Sequence, residues 1–381
     1  MRTIFDLPTP ALLVDITRLE RNLQRMQARA DRAGVRLRPH GKTHKCPEIA
    51  RRQLNRGAVG LTVATIREAE VFSEHGVEDI TIAVPLVGRP AYERLVPLLD
   101  RARIRVLVDT LEGAELLSDF FRARGRRIPV LMEVDTGYGR TGVRWDNPEA
   151  VTLYERLLEL PGLEVQGLLT HAGQSYRGGT DRASSREHAR KTSLEERDRI
   201  QTLAGLLRLR GFPVSEISIG STPTAVHFEP AGQPAVTEIR PGNYVFFDAM
   251  QVALGSCELD EVALSVLATV ISRHEEPDGV RLYIDAGKKA LTTDTHPLLT
   301  GYGIVADPET AYPYPDTVLY ALSEEHGWVR APRHSSLRVG SRVRIFPVHA
   351  CVLPPLFDSF FVEENLRVCE RWPIAARNRL P

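Results

Sequence analysis

The sequence predicts an α/β chain, a (β/α)8 TIM barrel followed by a C-terminal β domain. Three observations carry this. Eight short apolar runs recur through the first two-thirds of the chain, with amphipathic stretches between them. Strand-then-helix alternation argues for a parallel sheet, because parallel neighbours need a crossover. Later in the chain the helical periods thin out and β-rich runs punctuated by Gly and Pro take over. Eight repeats over roughly 200 residues or more suit a closed barrel better than an open, doubly wound sheet, which is the alternative. The length, 381 residues, suits such a barrel plus a second domain.

The elements follow in order. The strand candidates are 35–39, 59–64, 80–84, 105–109, 129–134, 165–170, 216–219 and 236–239, short runs rich in apolar residues as buried parallel strands are. Helical periods occupy 16–33, 66–75, 111–124, 148–158 and 193–209. The β domain is marked by 262–271, 280–284, 341–346 and 360–362. One more strand, 11–15, does not fit the barrel count and is expected to pair with the later β domain. The expected division is a barrel over 16–250 and a β domain over 251–381 together with 1–15. The basic run 122–127 reads as a solvated helix end.

Composition narrows the function classes. Apolar residues are 43% and charged residues 26%, which excludes a disordered, collagen-like or fibrous chain. Forty-nine basic residues balance 49 acidic ones, so no overall positive field exists to hold nucleic acid or an anionic membrane. Polar residues break every apolar run short of a membrane span. The first residues lack a basic start with an apolar core, so no secretory signal is expected. Cys46, Cys257, Cys351 and Cys369 are too scattered for a disulfide scaffold, and a reducing, cytoplasmic location is the expectation.

Barrel enzymes carry their chemistry at the C-terminal ends of the strands. Five strand ends here are polar, Gly-rich or ionisable. Lys42 follows the first strand. A lysine at a barrel mouth can attack a carbonyl if burial or neighbouring cations depress its pKa, and Arg38, His40, His44 and Lys45 are candidates for that surrounding. A solvated surface lysine is the plain alternative, and Lys45 is the competing nucleophile. Arg140 follows the fifth strand and His171 the sixth, a fixed cation and a group that can stack or move protons. Gly220-Ser221-Thr222-Pro223-Thr224 follows the seventh and offers hydroxyls and backbone N–H groups to a phosphate. Arg240-Pro241-Gly242-Asn243-Tyr244 follows the eighth, and the Tyr244 phenol is placed to join the same group. Each of these is also compatible with an ordinary polar turn, a salt-bridged arginine or a structural histidine. His349-Ala350-Cys351 follows a strand of the β domain. In an extended segment both side chains point to one side and can reach one borderline-soft divalent ion. Two ligands are an incomplete set, and on spacing alone this pair is weak.

Together these clusters resemble the D-threonine aldolase and D-serine dehydratase group of fold-type III pyridoxal-phosphate enzymes, distant relatives of alanine racemase. The matching residues are Thr9-Pro10-Ala11, Arg38-Pro39-His40-Gly41-Lys42-Thr43, Asp135-Thr136-Gly137 with Arg140, Thr170-His171-Ala172-Gly173, the Gly220–Thr224 turn, Arg240-Pro241-Gly242-Asn243-Tyr244, Asp285-Ala286-Gly287, Glu324-Glu325-His326-Gly327 and His349-Ala350-Cys351. They run in order from residue 9 to residue 351, nearly the whole chain. The resemblance implies an alanine racemase-like barrel and β domain, in a homodimer. It implies pyridoxal 5'-phosphate carried by Lys42. Ser221, Thr222, Gly242 and Tyr244 would lie about its phosphate, Arg140 near its phenolic oxygen and Arg240 facing its pyridine nitrogen. His171 would complete the site, and His349 and Cys351 in the β domain would hold a divalent metal (Zn, Mn or Mg) beside the substrate's β-hydroxyl.

The implied activity is a lyase on β-hydroxy-D-amino acids. An aldolase cleaves Cα–Cβ, with His171 or a metal-bound water as base. A dehydratase removes the Cα proton, with Lys42 as the natural base, and expels the hydroxyl. The stretches 322–327, 348–351 and 371–377 look more like aldolase members, so D-threonine aldolase is expected first. The thiolate ligand also resembles zinc-dependent dehydratases, which keeps a dehydratase of D-serine or 3-hydroxy-D-aspartate as the alternative. A cofactor-binding regulatory protein without turnover is a third possibility, against which the β domain argues.

Overall fold

The computed structural model describes residues 2–233 and 235–377; Met1, Pro234 and 378–381, the chain ends assigned above to the β domain among them, lie outside the described residues. In chain order the first part contains β1 (Ala11–Asp15), α1 (Ile16–Arg32), β2 (Arg36–Leu37), α2 (Pro47–Leu54), β3 (Leu61–Val63), α3 (Ile66–Glu74), β4 (Asp79–Pro85), α4 (Arg89–Leu99), β5 (Arg103–Val108), α5 (Leu111–Arg122), β6 (Ile128–Asp135), β7 (Val143–Arg144), α6 (Glu149–Glu159), β8 (Leu163–Thr170), α7 (Arg182–Leu209), β9 (Glu216–Ile219), α8 (Thr222–Val226), β10 (Glu238–Ile239) and α9 (Ala249–Ala253). Eight strands pair in parallel in the order β2-β10-β9-β8-β6-β5-β4-β3, and the short β7 adds to β6. The two ends meet. Val59 N–H donates to Leu37 O at 3.0 Å, Thr62 N–H donates to Pro39 O at 2.8 Å, and His40 bridges Thr62. The eight apolar runs thus become a barrel, closed at the segment that leads into Lys42.

Burial explains the runs. Ile82, Val106, Val130, Met132, Leu168, Ile217 and Ile239 are all fully buried, as strands covered on both faces must be. The barrel also holds charge. Arg38 gives Nε to Glu238 and Nη1 to Asp79, both at 2.7 Å, and Arg105 joins Asp79 at 2.9 Å. Ser218 Oγ donates to the other oxygen of Glu238 at 2.6 Å and accepts from Arg240 at 2.6 Å. Arg38 is thereby spoken for, and it does not belong to the surroundings of Lys42.

The remaining strands are β11 (Leu264–Glu276), β12 (Gly279–Ile284), β13 (Gly303–Ala306), β14 (Pro313–Leu322), β15 (Gly327–Ala331), β16 (Arg342–Pro347), β17 (Ser359–Glu364) and β18 (Arg367–Pro373). They form a second sheet, β12-β15-β14-β13-β16-β11-β1-β17-β18, in which β12 also pairs β11. The early strand β1 lies inside it, antiparallel to β11 and parallel to β17. Its pairing outside the barrel is the outcome the strand count implied. Four strands here have no sequence counterpart above. β13 is four residues long, β14 carries two prolines and is half exposed, β15 is short, and β18 is largely solvent-facing. Helix α7 is also longer than its apolar period, because its first turns are polar and are set by an Asp181 cap rather than by burial. Among the described residues no helix is long and apolar enough to cross a membrane.

Candidate active site

Lys42 lies in a single 3-10 turn, Gly41–Thr43, directly after β2. Its amine has no hydrogen bond or ion pair among the described residues. Burial pulls its pKa below the ordinary lysine value; Arg140 and Lys45 add to this, against Cys351 and Glu68. Lys45, the competing nucleophile, is ion-paired with the buried Glu68 and sits at φ 51°, turned away from the role. His44 binds its own loop through Cys46 and is held neutral by burial, at about 3. His40 is pushed well below its usual value by burial first and then by Lys42, Arg240 and His171. Lys42 and Arg240 thus lie near enough to His40 to bear on its ionisation, and Arg140 near enough to bear on that of Lys42.

His171 ends β8. Its Nδ1 meets Gly220 O at 3.2 Å, its ring stands edge-on to Tyr138 at 5.9 Å, and burial together with Lys42 and Arg140 holds it neutral, at about 3. Arg140 is half exposed at the rim, 3.9 Å from Glu133. Arg240 is buried, anchored on Ser218 and on Thr170 O, and burial lowers its pKa to about 10.

Ser221 caps α8. Its hydroxyl meets Ser175 Oγ at 2.9 Å and Thr224 Oγ1 at 3.1 Å. Tyr244 takes a different part from the one anticipated. Its backbone N–H donates to Thr222 Oγ1 at 3.1 Å, but its phenol is buried and accepts from Gln53 Nε2 of α2 at 3.1 Å. The phenol beside the Ser221–Thr222 turn is that of Tyr176: burial raises its pKa and Thr222 works against the rise. Gly242 is needed for a close approach. A Cβ there would meet Thr43 Oγ1 at 2.8 Å and His40 Cβ at 3.0 Å, so a larger residue would push the β10 loop off the lysine turn.

The β domain brings His349 and Cys351 to the same place. The intervening segment is a 3-10 turn (Ala350–Val352), not extended strand, yet the two side chains still bear on each other's ionisation. His349 Nδ1 is fixed by Asp294 Oδ2 at 2.6 Å. Against burial, the Cys351 thiolate and Asp294 raise the imidazole to about 11. Burial opposes ionisation of Cys351, but His349, Lys42 and Thr43 outweigh it and lower the thiol's pKa. Thr43 Oγ1 and Asn243 Nδ2 lie 3.3 and 3.7 Å from the sulfur. Asp248 accepts Ala350 N–H at 2.8 Å and Asn243 Nδ2, locking the two loops together. Among the described residues no group of three or more His, Cys, Asp or Glu converges on a metal position.

Sequence reasoning missed several participants. Tyr176 lies in the polar cluster after β8 and was within reach. Glu196, on α7, had no local signal. One of its oxygens accepts Ala172 N–H at 3.1 Å and Gly220 N–H at 2.9 Å, so it fixes the His171 and Ser221 loops relative to each other. Asp248 and Asp294 likewise gain meaning only through folding.

The donor set fits a phosphorylated aldehyde. A buried amine with no hydrogen bond or ion pair among the described residues, a capped turn of hydroxyls, the arginines Arg140 and Arg240, and the His349 and Cys351 pair are the groups such a ligand would use.

Comparison with known proteins agrees. Residues 14–250 match the family model of the alanine racemase N-terminal domain, and 263–363 match that of a putative serine dehydratase domain. The chain is 37% identical to D-threo-3-hydroxyaspartate dehydratase of Delftia sp. (strain HT23), over 94% of each chain. It is 35% identical to D-threonine aldolase of Arthrobacter sp., over 97% of this chain and 92% of the other. The solved Delftia dehydratase superposes with a TM-score of 0.88 over 98% of this chain and 99% of its own; a cysteine-to-alanine variant of that enzyme, with the same TM-score and coverage, is described as the metal-free form.

Proposed function

This chain belongs to the D-threonine aldolase and D-serine dehydratase family of fold-type III pyridoxal-phosphate enzymes, and from that premise we propose that it is a metal-dependent dehydratase of β-hydroxy-D-amino acids, acting on 3-hydroxy-D-aspartate or D-serine. One observation carries the choice of elimination. The lysine turn touches the metal-type pair: Thr43, next to Lys42, lies with its Oγ1 3.3 Å from the Cys351 sulfur, so the buried amine and the thiol belong to one neighbourhood. A base for Cα and a soft metal position for the β-oxygen are what loss of water needs.

Lys42 would hold the cofactor's carbonyl, and the Ser221–Thr222 turn with Tyr176 its phosphate. Bound there, pyridoxal phosphate supplies an electron sink that acidifies the C–H beside the substrate's amino group. His349 and Cys351 would hold a divalent ion, which supplies a Lewis acid for the β-hydroxyl. The rest falls to the chain's own side chains. Lys42, whose pKa burial lowers, would be the base that takes the Cα proton. Asp294 holds Nδ1 of His349 and so leaves Nε2 on the Cys351 side. Arg140 at the rim would lie near the cofactor's phenolic oxygen. Arg240, kept charged by Glu238, Glu196 and Glu133, provides a fixed positive wall.

The Arthrobacter relative and the stretches 322–327, 348–351 and 371–377 favour D-threonine aldolase as a second reading. It needs a base at the β-hydroxyl, and His171, held at about 3, is a weak one. Substrate deuterated at Cα separates the two. A dehydratase breaks that C–D bond, so its rate falls several-fold. An aldolase leaves the bond intact, and equal rates would overturn the elimination reading.

A further inference from the structure

We propose that the groove on the outside of the barrel, between α1, the start of α7 and the C-terminal end of α8, binds a small molecule bearing two phosphate groups. The groove has two lobes of about 590 and about 360 Å³, which share Arg29, Val226, Ser256 and Glu261. Each lobe alone falls within the range of small-ligand pockets, roughly 300–1,000 Å³. Neither is lined by Lys42, His171, Ser221 or Cys351, so the groove is separate from the site described above.

Its charge is uncompensated. Of the six arginines lining it, Arg21, Arg25 and Arg190 face Asp260, Glu261 and Glu187. Arg29, Arg32 and Arg186 have no side-chain hydrogen bond or ion pair among the described residues. Glu258 in the smaller lobe is paired with Arg182, and Glu229 bears on Arg190, so neither neutralises the three free guanidinium groups. The chain as a whole is neutral, with 49 basic and 49 acidic residues, which makes the local excess a feature of this place.

A second observation points the same way. His227 caps the C-terminal end of α8 and lines the smaller lobe. Its Nε2 is buried and has no hydrogen-bond partner. Burial, then Arg186, Arg29 and Arg190, hold the ring neutral at about 4. A neutral imidazole among guanidinium groups can donate to an oxyanion without adding to their repulsion. Arginine forks match phosphate oxygens in pairs, and Arg29, shared by both lobes, can contact two such groups at once. One phosphate would sit among Arg29, Arg186 and His227, the other towards Arg32.

The test is calorimetric titration of the holoenzyme, its cofactor bound, with inorganic pyrophosphate at low ionic strength. Saturable binding of one molecule per chain is expected. Arg29→Gln and Arg186→Gln should each weaken it about tenfold or more, with cofactor absorbance and turnover unchanged. Arg32→Gln, at an exposed position where folding is not at stake, should weaken it as well. Arg29→Lys keeps the charge and loses the fork, and should fall between wild type and Gln. Absence of saturable binding through the millimolar range, or binding that all three Gln substitutions leave unchanged, would overturn the proposal.

Discussion

Glu196 shows what a single residue's surroundings do to its chemistry. The carboxyl is fully buried, and one of its oxygens has no partner. Burial raises its pKa to about 7, against the opposing pull of Gly220, Thr224, Arg240 and Ala172. A carboxyl whose folded value is raised contributes stability in full below its unfolded value, about 4.3, and loses it as pH climbs through the folded value near 7. Glu196→Gln keeps an acceptor for the two N–H groups and removes the titration. The wild type should therefore lose about 1–3 kcal/mol relative to Glu196→Gln between pH 4 and pH 8. Thermal unfolding of both proteins across that range would show it; a constant difference in Tm would contradict it. None of this was legible in the sequence, where Glu196 is one acid on a polar helix. The positions of Lys42 and Ser221 just past barrel strands were legible because the strands before them are apolar and the residues after them are not. Tyr244 was half legible: its place was right, but a phenol's direction depends on packing, and Gln53 of α2 claims it.

At the level of elements, the parallel strands were readable because both faces are buried and their runs are apolar. The strands β13, β14, β15 and β18 were not, since short, proline-bearing or solvent-facing strands carry no clean period. Register within the barrel depends on individual positions. Gly167, in the middle of β8, has φ +151°, and a Cβ there would lie 2.0 Å from Glu216 O of the neighbouring β9. Gly167→Ala must push β9 away or twist β8, and β9 leads straight into the Ser221 turn. The expected cost is about 2–4 kcal/mol, read as a lower denaturation midpoint, with weaker cofactor retention alongside. An unchanged midpoint would mean the two strands are not held at this spacing.

Across the whole molecule, the candidate site joins two sheets that the sequence presents far apart. The barrel supplies Lys42, His171, Arg240 and the Ser221 turn, and the second sheet supplies His349 and Cys351 more than 300 residues after Lys42. Thr43 and Asn243 touch the Cys351 sulfur, and Asp248 clasps Ala350, so the two halves meet at side-chain contacts and not merely at a mouth. The His-x-Cys spacing is visible in the sequence, but the 3-10 turn that carries it is not. On the proposed reading, which bond breaks follows from that meeting. The most direct measurement is product analysis of the holoenzyme, supplied with a divalent metal, on D-threo-3-hydroxyaspartate. Loss of water gives oxaloacetate and ammonia, the result this account predicts. Glycine and glyoxylate in their place would mean that Cα–Cβ is cleaved, and would contradict the assignment of Lys42 as the Cα base.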